Sequence, residues 1–245
     1  MTAAAGGPAA VRLADLAAAL HARRGERAPF ILGVTGAVAA GKSTLSAGLA
    51  QAIAGWPGAP AVEVAATDGF LFDNATLTAR GILNRKGFPE SYDMAAMRAA
   101  LAAIRAGPAD FPGYSHTIYD IDPALTRRLD PPGVLIVEGL GLHEGAAALG
   151  LDVLIYLDAD EADLEAWYRE RFVALWRAAE HDPASFYARF RHMNEAETRD
   201  FASLVWRQIN LPNLHQHIVR GRAAADLVVR KGADHAILAV AERGR

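Results

Sequence analysis

The chain has 245 residues, no cysteine, a net charge of −3 and 52% hydrophobic residues. That length fits one domain with a large core, and the lack of cysteine excludes disulfides, thiol catalysis and Cys-ligated zinc. No apolar run approaches the roughly 20 residues of a membrane-spanning helix, no basic-then-apolar leader pattern opens the chain, and no long basic tract invites nucleic acid. The expectation is a cytoplasmic enzyme with neither a membrane nor a nucleic-acid partner.

Residues 1–8 are small and read as flexible. Over residues 9–24, Val11, Leu13, Leu16 and Leu20 recur at helical spacing and predict a helix on the outside of the domain. Residues 1–25 are therefore read as an N-terminal tail and helix, and 26–245 as a single domain. The apolar run at residues 30–34 predicts a buried strand. Directly after it comes Gly36-Ala37-Val38-Ala39-Ala40-Gly41-Lys42-Ser43-Thr44, then a helical-looking LSAGLAQAIA. Strand, Gly-x-x-x-x-Gly-Lys-Ser loop and helix make a phosphate-binding site. The glycines let successive N–H groups turn inward, and the helix adds its positive end. Lys42 can reach the β- and γ-phosphates, and the Ser43 hydroxyl can ligate Mg²⁺.

Residues 61–67 predict a second strand, ending at Asp68-Gly69-Phe70. The long polar and aromatic stretch 72–93 reads as functional rather than as a plain connector, and 94–106 as a helix. Residues 111–122 gather Tyr114, His116 and Tyr119 with two acids in an irregular segment; a lone histidine there is as readily structural as substrate-bound. Strands follow at 133–140, closed by Glu138, and at 152–157. Residues 161–179 read as a helix carrying Tyr168 and Arg171, and 185–218 as mostly helical with an interruption at Leu211-Pro212. A last strand spans 225–230, and 236–241 starts a closing helix.

Strands alternating with helices imply an α/β fold, a mainly parallel sheet with helices on both faces of the P-loop kinase type. Ligands in such folds collect beyond the carboxyl ends of the strands. The phosphate loop, Asp68 and Glu138 each follow a strand end, so they converge on one crevice. Phosphoryl transfer needs cations on the γ-phosphate and a group to accept the hydroxyl proton. Asp68 or Glu138 can be base or metal-shell acid. Arg171 can reach the transferring phosphate, or else pairs at the surface with Glu165 or Asp163.

The motifs, taken together, have a family likeness. Thr67-Asp68-Gly69-Phe70, Arg85-Lys86-Gly87-Phe88-Pro89-Glu90-Ser91-Tyr92-Asp93, Tyr114-Ser115-His116, Glu138-Gly139-Leu140, Trp167-Tyr168-x-x-Arg171-Phe172 and Ile209-Asn210-x-x-Asn213-Leu214 follow the phosphate loop in order. From about residue 30 to 240 the chain resembles the bacterial type I pantothenate kinases. The resemblance implies ATP- and Mg²⁺-dependent phosphorylation of pantothenate, toward coenzyme A, by a homodimer. It implies Asp68 as general base and Lys42 and Ser43 on ATP and Mg²⁺, with Glu138 in the metal shell. It implies Tyr114, His116, Tyr168, Arg171 and Asn210 around pantothenate, and His235 near adenine. The segments before the first strand and after Glu138 are shorter than the family's, and Ala47 stands where the family commonly has an arginine that binds coenzyme A as inhibitor. Rival readings are a related kinase acting on uridine, a sugar or glycerate, and a nucleotide-binding protein without acceptor chemistry. The chain lacks the Asn-Lys-x-Asp guanine signature of a GTPase switch.

Overall fold

A computed structural model describes residues 8–243. The flexible start expected over residues 1–8 lies outside them except for Pro8, which opens the first helix. The main sheet has six strands: β1 (Phe30–Gly36), β2 (Val62–Ala66), β3 (Val134–Glu138), β4 (Val153–Asp158), β5 (Leu227–Lys231) and β6 (Ile237–Glu242). Their order across the sheet is β6-β5-β4-β1-β3-β2, parallel throughout except for β6. Every residue of β1 is buried, as are the first four of β3 and the first five of β4. Continuous apolar runs of this kind belong to strands covered on both faces.

The helices that cover the sheet follow from local sequence. Helix α1 (Pro8–Arg24) turns the fully buried Leu16 and Leu20 inward and lies against α2 (Lys42–Ala54) and β6. Helix α3 (Met94–Ala106) starts at Asp93, whose side chain accepts from the Ala96 amide at 2.8 Å. It buries Met97, Leu101 and Ile104, spaced four and three residues apart. Helix α4 is Glu161–Ala178. Beyond it, Asn194 and Glu197 form a reciprocal capping box at the start of α5 (Glu195–Val205).

Two expectations are corrected here. Residues 236–241 do not begin a helix; Ala236 closes a turn and the rest lie in β6, the antiparallel edge strand beside β5. A tight turn reverses the chain, with the Gly232 amide donating to the Ala236 carbonyl at 3.0 Å. Six residues are too few for a helix to stabilise itself, whereas the free edge of β5 offers a ready ladder. Nor does Leu211-Pro212 interrupt the helix. From α5 the chain runs on through π-helical turns at Trp206–Asn210 and Leu214–Ile218, with Leu211–Asn213 between them and Val219–Ala224 after. Proline cannot donate to the carbonyl one turn back, and the wider turns on either side absorb the mismatch.

Register is what positions the site. Val34 and Ala66 both stand level with Glu138 across the ladders. The phosphate loop, Glu138 and Asp68 thus leave the same edge of the sheet within a few residues of one another. Gly69, next to Asp68, has no room for a side chain, because a Cβ there would lie 1.9 Å from the Pro112 carbonyl oxygen. Gly69→Ala is expected to lower unfolding stability by about 1–3 kcal/mol, measured by urea denaturation.

Candidate active site

The phosphate loop turns on residues with positive φ: Gly36 at 146°, Ala39 at 63° and Gly41 at 89°. At Gly36 a Cβ would lie 2.4 Å from the Leu157 carbonyl oxygen, so β4 packs too close for any side chain. Lys42, at the start of α2, donates to the carbonyls of Ala37 at 2.9 Å and Gly36 at 3.3 Å. Burial pushes its ammonium below the usual lysine range, while Glu138 and then Asp68 pull it back up, and Arg171 opposes them. Four of the residues singled out from sequence therefore share one electrostatic neighbourhood. Ser43 joins them, its hydroxyl donating to Glu138 Oε1 at 2.7 Å.

Asp68 sits half-buried in the turn Thr67–Phe70. The Tyr92 hydroxyl donates to its Oδ1 at 3.4 Å. Asp68 forms no ion pair among the described residues, yet it acts electrostatically on Lys42, Lys86, Tyr92, Tyr114 and Tyr119. Beyond Asp68 lies a wall of aromatic residues. Tyr114 and Tyr119 meet edge to face at 6.1 Å, and Tyr119 stacks on Phe186 at 4.3 Å. Tyr168 lies 5.8 Å from Trp206. Burial pushes the phenols of Tyr92, Tyr114 and Tyr168 upward and Tyr119 to about 12, so all are neutral donors at physiological pH. Asn210 lies against the Tyr168 hydroxyl, and its buried Nδ2 has no partner among the described residues. His116 is exposed, edge to face with Tyr114 at 5.1 Å. Arg171 is also exposed and pairs with neither Glu165 nor Asp163; Glu165 instead lies 3.9 Å from Arg207.

On the other side of the loop His235, at φ 66°, stacks on Trp167 at 4.2 Å. Beneath them Lys231, only 8% exposed, donates to the Ala40 carbonyl at 2.8 Å and approaches His235 Nδ1 at 3.4 Å. Burial and the Lys231 charge hold the His235 imidazole below its ordinary range. Lys231, Trp167 and Tyr92 lie beside these residues and are not among the candidates read from sequence, whereas Lys86 stands in the 72–93 stretch read as functional. Trp167 and Tyr92 stood inside motifs already quoted, whereas Lys231 had only its four-residue spacing from His235 as a signal.

A phosphate loop on the first strand, carboxylates at neighbouring strand tips and a cluster of aromatic residues beside them are the features of a P-loop kinase of small molecules. The chain belongs to the phosphoribulokinase and uridine kinase family, whose model matches residues 31–171, and to the pantothenate kinases within it. It is 46% identical to a pantothenate kinase of Sorangium cellulosum over 87% of this chain and 72% of that one. It is 42% identical to a pantothenate kinase of Parvibaculum lavamentivorans, covering 88% and 70% respectively. Among solved structures, a provisionally named fructose transport system kinase from Silicibacter sp. TM1040 superposes with a TM-score of 0.69 at 28% identity, covering 88% of this chain and 98% of that one. A provisionally named uridine kinase from Bacillus stearothermophilus shares the fold at a TM-score of 0.51, with 20% identity over 63% of this chain and 83% of its own. The chain is an ATP-dependent small-molecule kinase. No helix among the described residues is long and apolar enough to cross a membrane.

Lys231→Met removes the charged partner of a phosphate-loop carbonyl. It is expected to lower unfolding stability by about 1–3 kcal/mol, read by urea denaturation without nucleotide.

Proposed function

We propose that this kinase transfers the γ-phosphoryl group of ATP to the primary hydroxyl of pantothenate. The observation that carries the reading is the place of Asp68. It follows β2 two residues beyond Ala66, which stands level with Glu138, accepts from the Tyr92 hydroxyl at 3.4 Å, and lies near enough to Lys42, Tyr114 and Tyr119 to act on them electrostatically. Neutral phenols and an unpartnered amide donor at Asn210 suit an acceptor bearing amide and carboxylate oxygens, as pantothenate does. The similarity to pantothenate kinases over most of the chain supports the same acceptor.

In this reading Asp68 takes the hydroxyl proton while the alcohol oxygen attacks the γ-phosphorus. The bond from that phosphorus to the bridging oxygen breaks, and ADP departs. Lys42 exchanges its two carbonyl partners for phosphate oxygens, which restores the charge that burial disfavours. Arg171 supplies a second cation to the transferring group, and Tyr114, His116, Tyr168 and Asn210 hold the acceptor. His235 and Trp167 stack at the base of the nucleotide. Ser43 and Glu138 are hard oxygen donors already in contact, a set that fits Mg²⁺. Among the described residues no group of three or more His, Asp or Glu could hold a metal alone, in keeping with an ion carried largely by phosphates and water. Bound there, Mg²⁺ supplies positive charge to the β- and γ-phosphates.

A sugar is the second acceptor class to test, because the chain covers nearly all of the fructose transport system kinase structure. An ADP-release assay over pantothenate, fructose, uridine and glycerate is expected to give the highest kcat/KM with pantothenate; a higher value for another alcohol overturns the choice. Asp68→Asn is expected to lose about 10²–10⁴ in turnover, and near-native turnover would remove Asp68 as base. Glu138→Gln is expected to raise the Mg²⁺ concentration for half-maximal rate by about 10–100-fold, measured by metal titration at saturating ATP.

A further inference from the structure

Lys86 is a lysine where a lysine is costly. Its side chain is 4% exposed, and an ammonium taken out of water must find partners. It finds them in two segments. Its Nζ donates to Asn74 Oδ1 at 2.7 Å and to the Tyr119 carbonyl at 2.7 Å, with Asp120 Oδ1 at 3.9 Å. It also lies 4.9 Å from the Tyr114 ring centroid and 4.7 Å from that of Tyr119. Arg85, the preceding residue, is spent differently, over the Phe88 ring and paired with Glu90 at the surface.

The Tyr119 carbonyl needs such a hold. Tyr119 has φ 57°, a conformation that persists in a bulky residue only where its surroundings enforce it. Two donors meet on that carbonyl, Lys86 Nζ and Asn74 Nδ2, the latter at 3.1 Å. The Asn74 backbone N–H donates to Asp120 Oδ1 at 2.9 Å. The next residue along, Gly87, accepts from Asn213 Nδ2 at 2.9 Å, and Asn213 stands one turn beyond Asn210. The Lys86-Gly87 pair thus joins the short helix Asn74–Ala79, the loop that carries Tyr114 and Tyr119, and the helical run that carries Asn210.

We propose that Lys86 is the positioning residue of the acceptor wall, holding Tyr119 in its left-handed conformation so that the tyrosines face the acceptor. This rests on the reading that the acceptor lies between Asp68 and those rings. Lys86 acts through Tyr119 and Tyr114, so its loss falls on acceptor binding and leaves the nucleotide side alone.

The test is steady-state kinetics of Lys86→Met and Asn74→Ala, with folding checked by thermal unfolding. Each variant is expected to raise the acceptor KM by about tenfold or more, the loss of a charge-assisted hydrogen bond, with the ATP KM unchanged. The double variant is expected to be little worse than Lys86→Met, because both side chains serve one carbonyl. In Lys86→Ala, added propylamine is expected to restore the acceptor KM, which a purely packing role does not allow. Burial brings the Lys86 ammonium down to about 8, against the opposing pull of Asp120, Asp68 and Asp73. The wild-type acceptor KM is therefore expected to rise as pH passes about 8, and Lys86→Met to lack that rise. An unchanged acceptor KM in both single variants, or an equal rise in the ATP KM, overturns the proposal. The comparison uses whichever alcohol the acceptor panel selects; failure of pantothenate in wild type refutes the substrate assignment alone.

Discussion

The structure depends on the register of three parallel strands. β1, β3 and β2 pair so that Val34, Glu138 and Ala66 stand level. β1 and β3 are buried on both faces, and a slip of one residue would exchange every side chain between them and misplace the loop that follows. Burial therefore fixes the register, and the register fixes the chemistry. Ser43 meets Glu138 because the loop after β1 begins level with the tip of β3. Asp68 shares the field of Lys42 because it leaves β2 two residues beyond the same level.

The phosphate loop is itself held from two sides. Lys42 binds the carbonyls of Gly36 and Ala37 from within, and Lys231 binds that of Ala40 from the end of β5. A third bond closes the loop on itself, the Ala40 amide donating to the Ala37 carbonyl at 3.3 Å. Lys42 can give up its partners to phosphate. Lys231 lies against Trp167 and His235, so it links the loop's shape to the stack beside it. Gly41 leaves room for that closeness, since a Cβ there would lie 2.8 Å from Lys231 Nζ, the mobile end of its side chain.

What the sequence made legible was whatever one local pattern determines. β1, β3 and β4 announced themselves as apolar runs, and the phosphate loop by the pattern of residue types that it requires. β6 was obscured because alanine fits helix and strand alike in ILAVAE, and the neighbouring edge of β5 decided between them. Pro212 suggested a break because its missing N–H is local, whereas the π turns that absorb it are set by packing around Trp206 and Ile218, both nearly fully buried. Lys231 and Ala40 are 191 residues apart, and Lys86 and Tyr119 are 33 apart. No periodicity reports such pairs.

The two halves of the site are built from different materials. The phosphate side comes from strand tips and a helix start, elements that the whole sheet holds rigid. The acceptor side comes from a left-handed tyrosine, short helical turns and π-helical segments, none anchored in the main sheet. Elements of this kind are over-represented at functional sites because their backbone is set by side-chain contacts rather than by a repeating ladder. On the proposed reading, a change of acceptor alters contacts among Lys86, Asn74, Asn213 and the aromatic wall, while β1, β2 and β3 stay as they are. The sheet itself is common to solved structures of other kinases. On the same proposed reading, selectivity rests on the residues that grip irregular backbone as well as on those that touch the acceptor.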